Sequence, residues 1–194
     1  LILFLAHLQA FLIPILIGIK STNIFKQIRS PRLTPFAFIS LGLASMFEMF
    51  DHTSTDWIYV NHTSILNWLF YSFLTIGLSF FTISVTKKKS IIVLNIFLLI
   101  TAIFSYWIVG KSITLILQVL ISILLITEWW KRFKDWVFFI YPITGVIFTT
   151  FFGILLSSSG EQIWHIFIGP SGTVSVLTFY AVLNLSLIHI SEPT

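Results

Sequence analysis

Cysteine is absent from this chain, which excludes disulfides, thiol catalysis and thiolate-held zinc or iron–sulfur centres, although it does not fix a redox compartment. Charge is scarce as well. Only 9% of residues are Asp, Glu, Lys or Arg, against 57% hydrophobic, whereas a soluble globular domain carries about 25% charged residues. With a mean hydropathy of +0.99, that scarcity excludes a water-soluble fold and predicts an integral membrane protein. Nothing interleaves a basic face with aromatics, so nucleic acid is not a predicted partner. Room is short too. At roughly 20 residues per span, 194 residues accommodate six or seven membrane helices and no separate soluble domain.

What is present sorts into spans and loops. Apolar runs cover 1–19, 36–52, 65–85, 91–109, 113–127, 136–156 and 163–184, and the predicted fold is an all-α, polytopic membrane bundle of seven transmembrane helices, one domain over 1–184. Thr34-Pro35 reads as an N-cap followed by a first-turn proline. Leu1 falls inside an apolar run without Met or a charged leader, so residues upstream are expected to be missing. Residues 185–194 resemble an in-frame translation of a sequencing adapter and are set aside as non-native; without Glu192 the formal charge rises from +4 to +5.

Basic residues orient the spans. Short loops rich in Lys and Arg stay cytoplasmic, and the first, third and fifth loops carry Lys20, Lys26, Arg29, Arg32, Lys87, Lys88, Lys89, Lys131, Arg132 and Lys134, while the even loops carry only Lys111. That alternation predicts a bacterial-type inner membrane location with the N-terminus outside and the C-terminus cytoplasmic. Trp57, Trp68, Trp107 and Trp164 fall near the outer ends, and Trp129, Trp130 and Trp136 near the inner ends, as interfacial belts do. The lysine clusters need only the anionic inner leaflet as partner.

The same topology brings ionisable groups to one depth. Glu48, Asp51, Asp56, Glu161, His7, His52, His62 and His165 all map to the outer side. Each ionisable group inside a span costs about 2.5–3.5 kcal/mol on insertion scales, so such groups face the interior, pair, or serve a pathway. Glu48 with His52, and Glu161 with His165, each stand four apart, which on a helix puts a carboxylate and an imidazole on one face. Two such pairs suit zinc: Glu48, His52, Glu161 and His165 as ligands, with Asp56 and His62 as catalytic, proton-handling groups and metal-bound water as nucleophile. Ion pairs at helix ends, with Asp51, Asp56 and His62 solvated in a loop, account for the same pattern. His7 reads as a packed or interfacial histidine. Gly169-Pro170-Ser171-Gly172 breaks the seventh span near His165, since Pro170 leaves the Ile166 carbonyl without its helical donor; an ordinary kink and a cavity-lining break are both compatible with this.

Seven spans, a polar group closing the second, and Gly160-Glu161-Gln162-Ile163-Trp164-His165 opening the seventh are similar to the CREST superfamily of alkaline ceramidases and progestin and adiponectin receptor proteins. The resemblance implies a Zn2+-dependent hydrolase of lipid amides, with His52 matching the second-helix histidine and His165 a seventh-helix ligand. Glu48 stands at the family's serine position, Glu161 at its first seventh-helix histidine, and Asn61 at its aspartate. The leading functional expectation is therefore a metal-dependent lipid hydrolase. Its alternative is a non-catalytic membrane protein, either a small-solute or proton transporter or a sensor or scaffold.

Overall fold

A computed structural model describes residues 2–20, 32–53, 65–134, 173–174, 176–181 and 184 of the chain. These are helical apart from short connections. The helices are α1 (Ile2–Lys20), α2 (Leu33–Thr53), α3 (Ile65–Val85), α4 (Lys89–Ile108) and α5 (Lys111–Phe133). Four of them, α2 to α5, are long and apolar enough to cross a membrane, and α1 contributes a shorter apolar stretch, Phe4–Lys20. A helix satisfies its own backbone donors and acceptors, which is why apolar runs of this length take that form in hydrocarbon. The expected sixth span and most of the seventh lie outside the described residues.

Element boundaries depart from expectation in three places. Helix α2 begins at Leu33, so Thr34 is already helical and not its cap. Pro35 is tolerated because first-turn N–H groups have no intrahelical acceptor to lose. The same helix continues through Asp51 and His52 to Thr53, so Asp51 is not solvated in a loop but 5% exposed within a helix. Helix α5 runs two turns past the expected end, to Phe133. Its last turns stay helical because Glu128 and Trp129 are buried against neighbouring helices while Lys131 remains in the open. Trp129 is thus a core residue, 1% exposed, rather than an interfacial one.

Packing follows chain order. Helix α1 packs on α2, α2 on α3, and α3 on both α4 and α5, which also meet each other. Small residues set the α1–α2 interface from both sides. A Cβ on Gly42 of α2 would lie 2.8 Å from the Phe11 carbonyl of α1, and one on Gly18 of α1 would lie 2.8 Å from the Pro35 carbonyl of α2. Close backbone approach of this kind is how membrane helices gain packing energy where lipid removes the hydrophobic drive between them. Ile17, Ala37, Phe38, Leu41, Phe81, Val85, Leu125, Trp129 and Phe179 form the main core, and the rings of Phe81 and Phe179 meet edge-on at 4.6 Å. Residue 179 thereby docks part of the seventh expected span against α2 and α3.

Hydrogen bonds join α3, α4 and α5. Asn95 Nδ2 of α4 donates to the Ser79 carbonyl of α3 at 3.3 Å, Thr114 Oγ1 of α5 to the Ala102 carbonyl of α4 at 3.0 Å, and Thr86 Oγ1 beyond α3 to Glu128 Oε2 of α5 at 2.6 Å. Meanwhile Val93, Phe97, Ile100, Phe104 and Ile108 form an apolar stripe facing away from the described helices. Amides inside and a bare hydrocarbon stripe outside invert the usual arrangement in water. The solvent such a surface requires is lipid.

Candidate functional site

The antiparallel run of α1, α2, α3 and α4 carries four helix ends to one end of the bundle: the start of α1, the end of α2, the start of α3 and the end of α4. There His7, fully buried, points its Nε2 to within 4.0 Å of Glu48 Oε2. Sequence spacing puts Glu48 on one helix face with His52, whose side chain lies outside the described residues; the structure shows that Glu48 also faces His7 of α1. Asp51, one turn along α2, is 5% exposed. Glu48 and Asp51 are close enough to act on each other electrostatically, Glu48 acts on Tyr71, and Asp51 on Tyr106.

A polar and aromatic wall completes the cluster. Tyr106 Oη donates to Asn67 Oδ1 at 2.7 Å, linking α4 to α3. Gln118 Nε2 of α5 donates to the Tyr71 carbonyl at 3.1 Å and to Thr75 Oγ1 at 2.9 Å. The rings of Tyr71 and Tyr106 lie 6.0 Å apart, Tyr106 and Trp107 5.4 Å, and Trp68 and Trp107 5.9 Å. Trp68 Nε1 donates across to the Ile103 carbonyl at 2.9 Å. Two carboxylates, an imidazole, an amide and two phenols therefore converge from α1 to α4. Of the two acids Glu48 is the more exposed, at 17% against 5% for Asp51. Such a set can exchange protons or hold a small polar or cationic solute by charge-assisted hydrogen bonds and ring faces.

Of the residues expected at the site, Glu48 stands in this cluster, and His52 has its backbone in the last turn of α2. Its side chain, together with Asp56, His62, Glu161, His165 and the Pro170 break, lies outside the described residues. Among the described residues no three or more His, Asp or Glu are arranged to hold a metal ion. Sequence reasoning missed His7 as the partner of Glu48, and it missed Asn67, Tyr71, Tyr106 and Gln118 altogether. Asn67 and Gln118 carried a usable signal. Each is a lone amide in an otherwise apolar span, and such groups usually face a partner across the bundle.

Long apolar helices around a polar interior define a multi-pass membrane protein. Residues 1–187 match a family model described as seven transmembrane receptor, and the chain belongs to that family. No curated protein and no solved structure matches it. The match corrects the resemblance to alkaline ceramidases and their relatives: the family covering the chain is a receptor family, not that group of hydrolases. The physical reason lies in the departures already visible, since Glu48, Glu161 and Asn61 replace the serine, histidine and aspartate on which the likeness depended.

Proposed function

We propose that the chain is a non-catalytic, seven-span membrane sensor that takes a small polar solute into the cluster of His7, Glu48, Asp51, Asn67, Tyr71 and Tyr106. The reading assigns the sixth and seventh spans to 136–156 and 163–184. It places the cluster on the outer side of a bacterial-type plasma membrane, with the N-terminus outside. Support for the orientation comes from the basic residues: Lys20, Arg32, Lys87–Lys89, Lys131, Arg132 and Lys134 gather at the end of the bundle away from His7, the end that positive loops retain in the cytoplasm.

The observation that carries the sensor reading is the burial of His7 against Glu48 across two helices, at the same end as the Asn67–Tyr106 hydrogen bond, with the Gln118–Thr75 bond midway along α3. A solute entering here contacts several helices at once and biases how they sit. Helix α3 carries the consequence. It runs about 30 Å at 1.5 Å per residue, from Asn67 beside the cluster to Val85 and Thr86, which are bonded to Arg132 and Glu128 of α5.

The natural absence of cysteine makes the test direct. Spin labels on Lys20→Cys and Lys88→Cys, in the full chain in nanodiscs, report the spacing of the end of α1 and the α3–α4 turn. A sensor changes that distance distribution when Glu48→Gln is added at the opposite end. An unchanged distribution, together with proton-coupled solute uptake into vesicles, would replace the sensor with a transporter. Impermeant maleimide should label Lys111→Cys and spare Lys88→Cys in intact cells; the reverse pattern overturns the orientation.

A further inference from the structure

We propose that the turn between α3 and α4 and the last turn of α5 form one seat for the phosphate headgroup of an anionic phospholipid. This inference does not rest on the sensor reading. In the sequence Lys87-Lys88-Lys89 and Lys131-Arg132-x-Lys134 stand more than forty residues apart, and each alone is an ordinary membrane-retained cluster. Folding makes them neighbours. Thr86 Oγ1 donates to Glu128 Oε2 at 2.6 Å, Arg132 donates from its guanidinium to the Val85 carbonyl at 2.9 Å, and the Lys88 backbone N–H donates to Thr86 Oγ1 at 3.3 Å. These bonds fix the lysine-bearing turn directly beside the end of α5.

The charge left over has one sign. Lys87, Lys88, Lys89, Lys131 and Lys134 are exposed, while Glu128, the acid amid them among the described residues, is 6% exposed and engaged by Thr86 and Lys131. Lys134 is held over the Trp130 ring at 5.6 Å, an arrangement suited to the depth where headgroups meet hydrocarbon. Above the basic surface α4 starts at Lys89 without a side-chain cap and without an acid in its first turn, so no acid of that turn competes there. The membrane supplies the occupant. A headgroup phosphate reaches this surface while its acyl chains lie along the apolar stripe of α4 that begins at Val93; a soluble phosphate gains nothing from that stripe.

Native mass spectrometry of the full chain in detergent, titrated with phosphatidylglycerol, phosphatidylcholine or inorganic phosphate, tests the seat. Phosphatidylglycerol should be retained saturably and in preference to phosphatidylcholine. Near an anionic surface each lysine strengthens attraction by roughly fivefold, so Lys88→Gln with Lys131→Gln should weaken retention by about 25-fold, and Lys111→Gln at the far end should leave it unchanged. Because Lys131 also touches Glu128, Lys87→Gln with Lys134→Gln serves as a second pair that leaves that contact intact, with helix content checked by circular dichroism; the same loss is expected. Equal retention of the two lipids, full retention by both double variants, or an equal loss with Lys111→Gln overturns the proposal. So does displacement of the lipid by equimolar inorganic phosphate, which would make this a free-phosphate site.

Discussion

Gly42 is where the packing of α1 on α2 is most exposed to a single methyl group. A Cβ there would lie 2.6 Å from Ile15 Cγ1 and 2.8 Å from the Phe11 carbonyl oxygen. The isoleucine can rotate away, but a helical carbonyl cannot, so Gly42→Ala forces the α1 backbone to retreat by about 0.6 Å to reach an ordinary 3.4 Å contact. Overpacking of this kind costs about 1–3 kcal/mol. For a chain of this length each kcal/mol lowers the midpoint by roughly 2–4 °C, so thermal unfolding in detergent, followed by circular dichroism, should show a fall of about 2–12 °C. Gly42→Val should lose more, because a branched side chain cannot turn both methyls away from α1. Gly18→Ala, which meets the Pro35 carbonyl at 2.8 Å, should behave like Gly42→Ala. If all three variants unfold at the parent temperature, α1 and α2 are not in the close contact described, and the facing of His7 and Glu48 falls with it.

Three further outcomes follow from the same geometry. Gln118→Leu removes two interhelical bonds, to Tyr71 and Thr75; at about 0.6 kcal/mol for an average interhelical hydrogen bond the loss is roughly 1.2 kcal/mol, read as a lower unfolding midpoint. Glu128→Ala removes the carboxylate that accepts from the buried Thr86 hydroxyl at 2.6 Å and should cost about 1–3 kcal/mol, whereas Glu128→Gln keeps an acceptor there and should cost clearly less; equal losses in the same thermal assay would contradict that bond. Gly110, at φ 99° with open space around its Cα, should reject alanine for backbone reasons alone, by about 1–3 kcal/mol, and any gain in stability from Gly110→Ala would show the α4–α5 turn to be otherwise.

How much of this was legible in the sequence differs by level. Apolar runs located the five described helices, to within a few residues except at the end of α5, and Ile65–Val85 coincided with its run, because in hydrocarbon length and composition leave the backbone few alternatives. Helix ends were less legible. The turns holding Asp51 and Trp129 look polar or interfacial when read alone, and become helical once partners from other helices bury them. The site was legible in depth but not in pairing. Charge alternation brought His7, Glu48 and Asp51 to one end, but spacing along one helix offers Glu48 only His52, whose side chain lies outside the described residues, and it takes the antiparallel register of α1 on α2 to show that His7 faces it. Spacing within a helix tells which residues share a face; it says nothing of what that face meets.

The two kinds of helix contact in this bundle bear on how a signal could cross it. Helices α3, α4 and α5 are tied at several depths by directional bonds, from Asn67–Tyr106 near one end through Gln118–Thr75 at mid-helix to Thr86–Glu128 and Arg132–Val85 at the other. Moving one of these helices along another breaks several such bonds at once, so the three move most cheaply together. Helices α1 and α2 meet by close approach of Gly18, Gly42 and their neighbours, and α2 meets α3 through Gly77, Ala37 and the Phe38–Phe81 rings. Contacts of that sort permit small sliding displacements without stranding a polar group. His7 and Glu48 belong to the sliding pair, while Asn67, Tyr71 and Tyr106 belong to the tied unit. In the proposed sensor, a solute held between them would sit on the boundary where relative motion is least costly, and the lysine-bearing end of α3 and α5 would move as one body in response.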